Sequence, residues 1–306
     1  MTVIVREFRP EDASAVCEVL RAVVPHGVTT PESVLFDLAT AHPAARRRLL
    51  IAERAGEVAG TAVAAVVYDA REPRQASIAV QVLPEHRGRG VGGLLTRTAE
   101  EHLTTEGATT LFSWVADEPA SRAFAVRRGY RPSRTAHFQR LALDDDALPE
   151  LPARAPGVEL ASAAEFADDP RPLYRADAEA TSDEPSDVAV DFDDYDDWLR
   201  HTWCHPLLDR RLSTVVLVDG EVAAFTAAQS DGATRYMSGM TGTARAHRGR
   251  GYAKLAKVDS LRRARAAGHT EAFTANDSGN GPMLAINRWF GYEICSTEVR
   301  HVRTLD

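Results

Sequence analysis

Cysteine is scarce: Cys17, Cys204 and Cys295 are the three in 306 residues, and they do not cluster. That excludes a disulfide framework and a cysteine zinc site, so no metal is expected and a reducing compartment fits. In Trp203-Cys204-His205 a thiol stands beside an imidazole, but such adjacency is far more often incidental than nucleophilic. No apolar run approaches the roughly 20 residues that span a bilayer. The opening Met1-Thr2-Val3-Ile4-Val5-Arg6-Glu7 reads as a short strand and lacks a signal peptide's apolar core. A cytoplasmic protein without a membrane partner is expected. Positive charge is outweighed, with 36 Lys and Arg against 44 Asp and Glu. A net charge of −8 argues against a nucleic-acid binder, whose affinity comes from neutralising phosphates.

What the chain does have is a repeat. His86-Arg87-Gly88-Arg89-Gly90 recurs 161 positions later as His247-Arg248-Gly249-Arg250-Gly251. Without a gap, Leu94 pairs with Leu255, Gly107 with Gly268, and Phe112 with Phe273. A length prior of about two domains agrees with a tandem duplication. The reading is residues 1–146 as a first domain, 147–156 as a proline-containing linker, and 157–306 as a second domain.

Apolar alternation predicts strands in the first half at 3–8, 49–54, 58–68 and 75–83, with Ala55-Gly56-Glu57 as a turn. A helix at 91–106 stops at Gly107; a strand at 109–115, a helix at 118–128 and a closing strand near 135–143 follow. The second half repeats the plan with strands at 157–161, 213–218, 222–230 and 234–243, and Asp219-Gly220 as a hairpin turn. A helix at 252–267, a strand at 270–276, a helix at 281–290 and a closing strand near 297–305 complete it. The fold class is α/β with a mixed sheet.

Each glycine turn opens a helix after the fourth strand of its half. Amides there lack intrahelical partners and lie at the positive end of the helix dipole, so an anion is bound favourably. Glycine permits positive φ and close approach, and arginine offers a planar charged fork to phosphate oxygens. Neither turn has the Gly-Lys-Ser/Thr of a P-loop. Neither follows a first strand, as a dinucleotide fold requires.

The spacing Arg87-x-x-Gly90-x-Gly92, repeated as Arg248-x-x-Gly251-x-Ala253, resembles the acetyl-CoA signature of the GNAT (GCN5-related) N-acetyltransferase superfamily. Asn276, Asn280-Gly281-Pro282-Met283-Leu284-Ala285-Ile286-Asn287 and Gly291-Tyr292 look like the family's last block. The paired halves are similar to its tandem members. The resemblance implies acetyl-CoA as cofactor and two acyl-CoA N-acyltransferase-like domains. Backbone pairing with the pantetheine arm would fall on Gln81, Val82 and Leu83, and on Gly242, Thr243 and Ala244. The pyrophosphate would lie on Arg87, Gly88, Arg89, Gly90, Val91 and Gly92, and on Arg248, Gly249, Arg250, Gly251, Tyr252 and Ala253. Asn276, Asn280 and Asn287 would face the cofactor; the alternative for them is capping and turn formation.

The family mechanism is direct attack of a neutral amine on the thioester. The tyrosine many members use to protonate the leaving thiolate falls at Ala125 and Asn287, so neither half has it. The strands before the turns hold no carboxylate, and the catalytic acid and base stay unassigned. From Asp177 to Asp197 there are ten Asp or Glu and no Lys or Arg, a stretch without a counterpart in the first half. A solvated loop is the default reading of such a run; the functional one is a lip for a cationic substrate. On the latter, Asp183 and Glu184 would contact the amine, and Pro185 would stiffen the loop. The expected function is N-acetylation of a small cationic amine by the second half, the first being structural or holding cofactor without turnover. A non-catalytic acyl-CoA sensor and a protein or peptide N-acetyltransferase are the alternatives. Either a monomer, as an internal pseudo-dimer, or a homodimer is compatible with duplication.

Overall fold

The computed structural model describes residues 2–143, 148–183 and 194–305. In chain order the first half forms β1 (Val3–Glu7), α1 (Ala13–Val23), α2 (Pro31–Ala39), β2 (Arg48–Arg54), β3 (Glu57–Val66), β4 (Gln75–Val82), α3 (Val91–Thr105), β5 (Thr110–Ala116), α4 (Pro119–Arg127) and β6 (Arg131–Ala142). The second forms β7 (Val158–Ser162), α5 (Arg171–Ser182), α6 (Tyr195–Trp198), β8 (Thr214–Val218), β9 (Glu221–Ser230), β10 (Arg235–Thr243), α7 (Tyr252–Ala266), β11 (Glu271–Asp277), α8 (Gly281–Phe290) and β12 (Glu293–Thr304).

Local chemistry accounts for the punctuation. Ala55 and Gly56 take φ of 57° and 83°, and Asp219 and Gly220 take 52° and 84°. Two left-handed residues in a row match strand twist, so both sites make tight hairpins. Thr30 and Ser33 exchange hydrogen bonds across the start of α2, with Pro31 at its first position. Gly107, Gly268 and Gly291 follow α3, α7 and α8 at φ of 83°, 97° and 85°, ending each helix where a side chain would strain.

By contacts the chain forms two compact units. One holds the residues up to Ala136 together with Ser296 onward; the other runs from His137 and ends at Cys295. In the first, β1 to β4 are antiparallel neighbours in order, β4 pairs in parallel with β5, and β12 lies antiparallel on the far side of β5. In the second, β7, β8, β9 and β10 are antiparallel, β10 pairs in parallel with β11, and β6 adjoins β11. By contacts, the residues from Ser296 onward group with the first unit, and those from His137 onward with the second. The two closing strands have the same length, 12 residues each.

The helix after each turn fills the core of its unit. Val91, Leu95, Ala99 and Leu103 recur every fourth residue along α3 and pack on Ala62, Ala64, Ile78 and Leu111 of the sheet. Val258, Leu261 and Ala264 of α7 pack on Ala228, Tyr236 and Ala272 in the same way. Burying these faces fixes the start of each helix above its central strands.

Candidate functional site

In both units the chain leaves the fourth strand, makes one 3-10 turn and turns into the helix through two left-handed glycines. Arg87 and Arg248 are extended, with φ/ψ of −65°/151° and −64°/157°. Gly88 and Gly90 lie at φ of 71° and 87°, Gly249 and Gly251 at 76° and 81°. A Cβ on any of these four would meet no protein atom within 4 Å. Their need is the left-handed backbone, and the space above them is open. The first helical bonds run from Leu94 N to Gly90 O (3.0 Å) and from Leu255 N to Gly251 O (3.1 Å). The amides before them are those available to an anion. Val91 and Gly92, and Tyr252 and Ala253, form the first helical turn; a Cβ at Gly92 would make ordinary contact with Val82 and Phe124, at 3.4 and 3.7 Å.

The arginines of each turn divide their work. Nε of Arg87 donates to Val82 O and Nε of Arg248 to Thr243 O, both at 3.2 Å. Their outer nitrogens face Glu118 (3.7 Å) and Asp183 respectively. The Arg87 and Arg248 side chains thus clamp the loop. Arg89 and Arg250 are exposed and have no ion pair among the described residues, so the free charged forks are theirs.

The parallel central strands separate below each turn. β4 pairs with β5 only over Gln75–Ser77, and β10 with β11 only over Arg235–Ser238. Gln81 and Val82 keep their partners on β3, and Gly242 and Thr243 theirs on β9, while their other edge is unpaired by the neighbouring strand. An extended chain with amides can lie along such an edge. Leu83 N and Ala244 N are already bonded, to Ala59 O and Ala223 O. The units differ here. β3–β4 pairing is continuous, whereas β9–β10 pairing jumps from Ser238↔Ala228 to Thr241↔Thr226. Gly239 and Met240 form a bulge, the device that re-aims backbone groups beside active sites. Gly242 serves packing: a Cβ there would sit 2.5 Å from Ala180 of α5 and 2.8 Å from Phe225.

The asparagines of the last block and Asp183 have the following surroundings. Asn280 caps α8, its Oδ1 accepting from Met283 N at 3.3 Å. Asn287 is wholly buried, its amide nitrogen donating to Gln139 (2.8 Å) and Asn276 (2.7 Å) and its oxygen accepting from Lys257 (2.6 Å). Every hydrogen-bonding group of its side chain is engaged inside the protein. Asn276 is half-buried beyond the point where β10 and β11 part. Asp183 is bonded to Arg245 at 2.7 Å and to Arg248, while Glu179 accepts from Arg245 N at 2.5 Å. The two guanidiniums, Arg245 first, hold the Asp183 carboxyl well below the usual carboxylate range. It closes an ion-pair cluster at the glycine turn instead of offering a charge to an amine. Glu184 and Pro185 lie outside the described residues. The acidic stretch is in part helical, in α5 and α6, with Asp177 turned into the interior.

Three titratable groups escaped the sequence reading. Lys257 sits in mid-α7 with no exposed surface, and burial pushes its amine down to about 7. Asp177 is buried among aromatics and accepts from Trp198 Nε1 at 2.7 Å; burial raises its carboxyl. Glu298 of β12, opposite Ala116 at the end of β5, is likewise raised by burial. A lysine in a charged helix and an aspartate in an acidic run read as solvated, and only packing shows otherwise. His205 Nδ1 accepts from Leu207 N as a turn cap. No His, Cys, Asp and Glu cluster suited to a metal occurs among the described residues. No described helix is long and apolar enough to cross a membrane.

Mixed pairing in each unit, with parallel strands that part below an open glycine turn at a helix start, defines a tandem acyl-CoA-dependent acyltransferase fold. Residues 15–130 match the Acetyltransferase (GNAT) family. The first half thus carries a match to the GNAT acetyltransferases, whose general cofactor is acetyl-CoA, and the chain as a whole shares the fold of tandem GNAT proteins. It is similar to the mycothiol acetyltransferase of Segniliparus rotundus, 28% identical over 270 residues, or 85% of this chain and 96% of that one. A match to the mycothiol acetyltransferase of Nocardia farcinica is 37% identical over 141 residues, 46% of this chain and 44% of the relative, so it spans less than half of that protein. A tandem GNAT protein from the clavulanic acid biosynthesis pathway, solved without AcCoA, shares the fold. It has a TM-score of 0.73 at 21% identity, over 99% of this chain and 98% of that one.

Proposed function

We propose that the chain transfers an acetyl group from acetyl-CoA to the amine of a small molecule, and that the second unit carries the turnover. The observation that carries this is the open, left-handed glycine turn at a helix start above parted strands, joined in the second unit to the bulge at Gly239-Met240. The pyrophosphate would be held by the amides from Gly249 to Ala253 with Arg250, and in the first unit by those from Gly88 to Gly92 with Arg89. The cofactor supplies a thioester carbonyl open to direct attack by the neutral amine. Arg248, tied to Thr243 O and Asp183, keeps the loop in place. Backbone groups freed at the bulge lie where a carbonyl oxygen acquiring charge could be met by a donor. Ala125 and the buried Asn287 supply no acid, but a thiolate of pKa near ~8.5 leaves without one. The likeness to mycothiol acetyltransferases favours a small-molecule acceptor. The acidic stretch favours one with positive charge, although Asp183 is no longer its anchor. A reducing, cytoplasmic setting agrees with the free cysteines.

A second reading places turnover in the first unit. The family match lies on residues 15–130, and Glu298 supplies there a half-buried carboxylate whose raised affinity for protons suits a general base. Thiol release from acetyl-CoA across a panel of small amines tests the function. Amine-dependent release that Gly251→Glu abolishes and Glu298→Gln spares supports the second unit; the reverse pattern supports the first. No amine-dependent release in either case leaves a binding protein.

A further inference from the structure

The second unit buries a polar chain drawn from four elements. Lys257 Nζ of α7 donates to Asn287 Oδ1 of α8 at 2.6 Å and lies 4.9 Å from the ring centre of Tyr292. Asn287 Nδ2 donates to Gln139 Oε1 of β6 and to Asn276 Oδ1 of β11. Lys257 and Asn287 have no exposed surface. In the sequence repeat, Lys257, Asn287 and Asn276 correspond to Thr96, Ala125 and Val115. Thr96 merely returns its hydroxyl to Gly92 O of its own helix. The first unit therefore completes the same fold without the network. An amine with one acceptor and one ring face is costly to bury, and an apolar residue in its place would be cheaper.

What the lysine accomplishes is an ordering of amides. Lys257 Nζ donates here, and Asn287 accordingly turns its oxygen toward the lysine. Its nitrogen is then left for Gln139 and Asn276, and both must answer with oxygen. Asn276 has its oxygen turned inward to Asn287, and its two amide hydrogens have no partner among the described residues. It stands two residues past Thr274, the last residue of β11 paired with β10, and is half-buried.

We infer that Lys257 is a positioning residue: through Asn287 it orients the Asn276 carboxamide as a hydrogen-bond donor at the parting of β10 and β11. The oxygen this donor serves belongs to the acyl donor, an assignment that rests on the acetyl-CoA reading; the order of the amides does not.

The test uses the full chain with Lys257→Met, Asn287→Asp, Asn276→Asp and the double variant Lys257→Met/Asn276→Asp. Asn287→Asp keeps an acceptor for the lysine yet cannot donate to Asn276, so it serves if Lys257→Met does not fold. Acetyl-CoA binding is expected to weaken roughly tenfold in each single variant, the size of one hydrogen bond. The double variant should bind no worse than Asn276→Asp alone, because both changes act on one donor. Side-chain amide exchange, read by nuclear magnetic resonance, should show Asn287 hydrogens protected in the wild type and exposed in Lys257→Met. Unchanged affinity in the single variants, or additive losses in the double, would overturn the inference. If the wild type binds no acetyl-CoA, the cofactor reading fails, and the exchange data alone decide the amide order: unaltered protection in Lys257→Met would refute it.

Discussion

Asp183 shows how one side chain can change the reading of a surface. In the acidic stretch it reads as a contact for a cation, but it already holds Arg245 and Arg248 at the mouth of the second turn. Replacing it with asparagine releases two guanidiniums beside the proposed pyrophosphate site. Asp183→Asn is therefore expected to bind acetyl-CoA several-fold more tightly at low salt, with a steeper salt dependence, as added free charge dictates. Weaker binding would mean that the carboxylate chiefly orders the loop. Lys257 makes a separate prediction. Its folded-state value of about 7 lies below the roughly 10.4 of an unfolded lysine. Between those values the unfolded chain binds more protons, so stability rises as pH increases through the window. The urea midpoint of the wild type should climb from pH 7 to 9.5 by more than that of Lys257→Met. Equal slopes would contradict the buried amine. Neither role is visible in the residue's sequence neighbourhood, where Asp183 has acidic company and Lys257 a charged helix.

Among the elements, what local chemistry dictates was legible. The hairpins at Ala55-Gly56 and Asp219-Gly220, the helices ended by Gly107 and Gly268, and the turn-to-helix joints at Gly90 and Gly251 follow from which residues tolerate positive φ. The bulge at Gly239-Met240 was not legible, because it exists only in the register of β10 against β9. The helices within the acidic stretch were hidden by composition. Gly242 carries both lessons: expected as a backbone contact for cofactor, it is also where α5 lies close on β10. Gly242→Val places a side chain into Ala180 and Phe225. It should lower stability by about 2 kcal/mol, as overpacking does, and weaken acetyl-CoA binding by displacing α5. Chemical denaturation with a parallel titration checks this, and an unchanged midpoint would show that α5 is free to move away.

For the whole molecule, duplication was legible from the repeated turn. The grouping of the residues from Ser296 onward with the first unit, and of those from His137 onward with the second, was not, because it depends on the complete chain. Duplication also let the halves diverge: the bulge and the Lys257 network occur in the second unit, while Glu298 and the family match mark the first. Which turn supports the chemistry is the central question. The most direct measurement is isothermal titration of acetyl-CoA into the wild type, Gly90→Glu and Gly251→Glu, with folding checked by thermal unfolding. Glutamate at these positions puts bulk and negative charge where the pyrophosphate would lie. The account predicts binding by the wild type, and loss of the binding that supports turnover in Gly251→Glu but not in Gly90→Glu. Loss in Gly90→Glu alone would transfer the working site to the first unit, and no binding by folded wild-type protein would contradict the acetyltransferase reading itself.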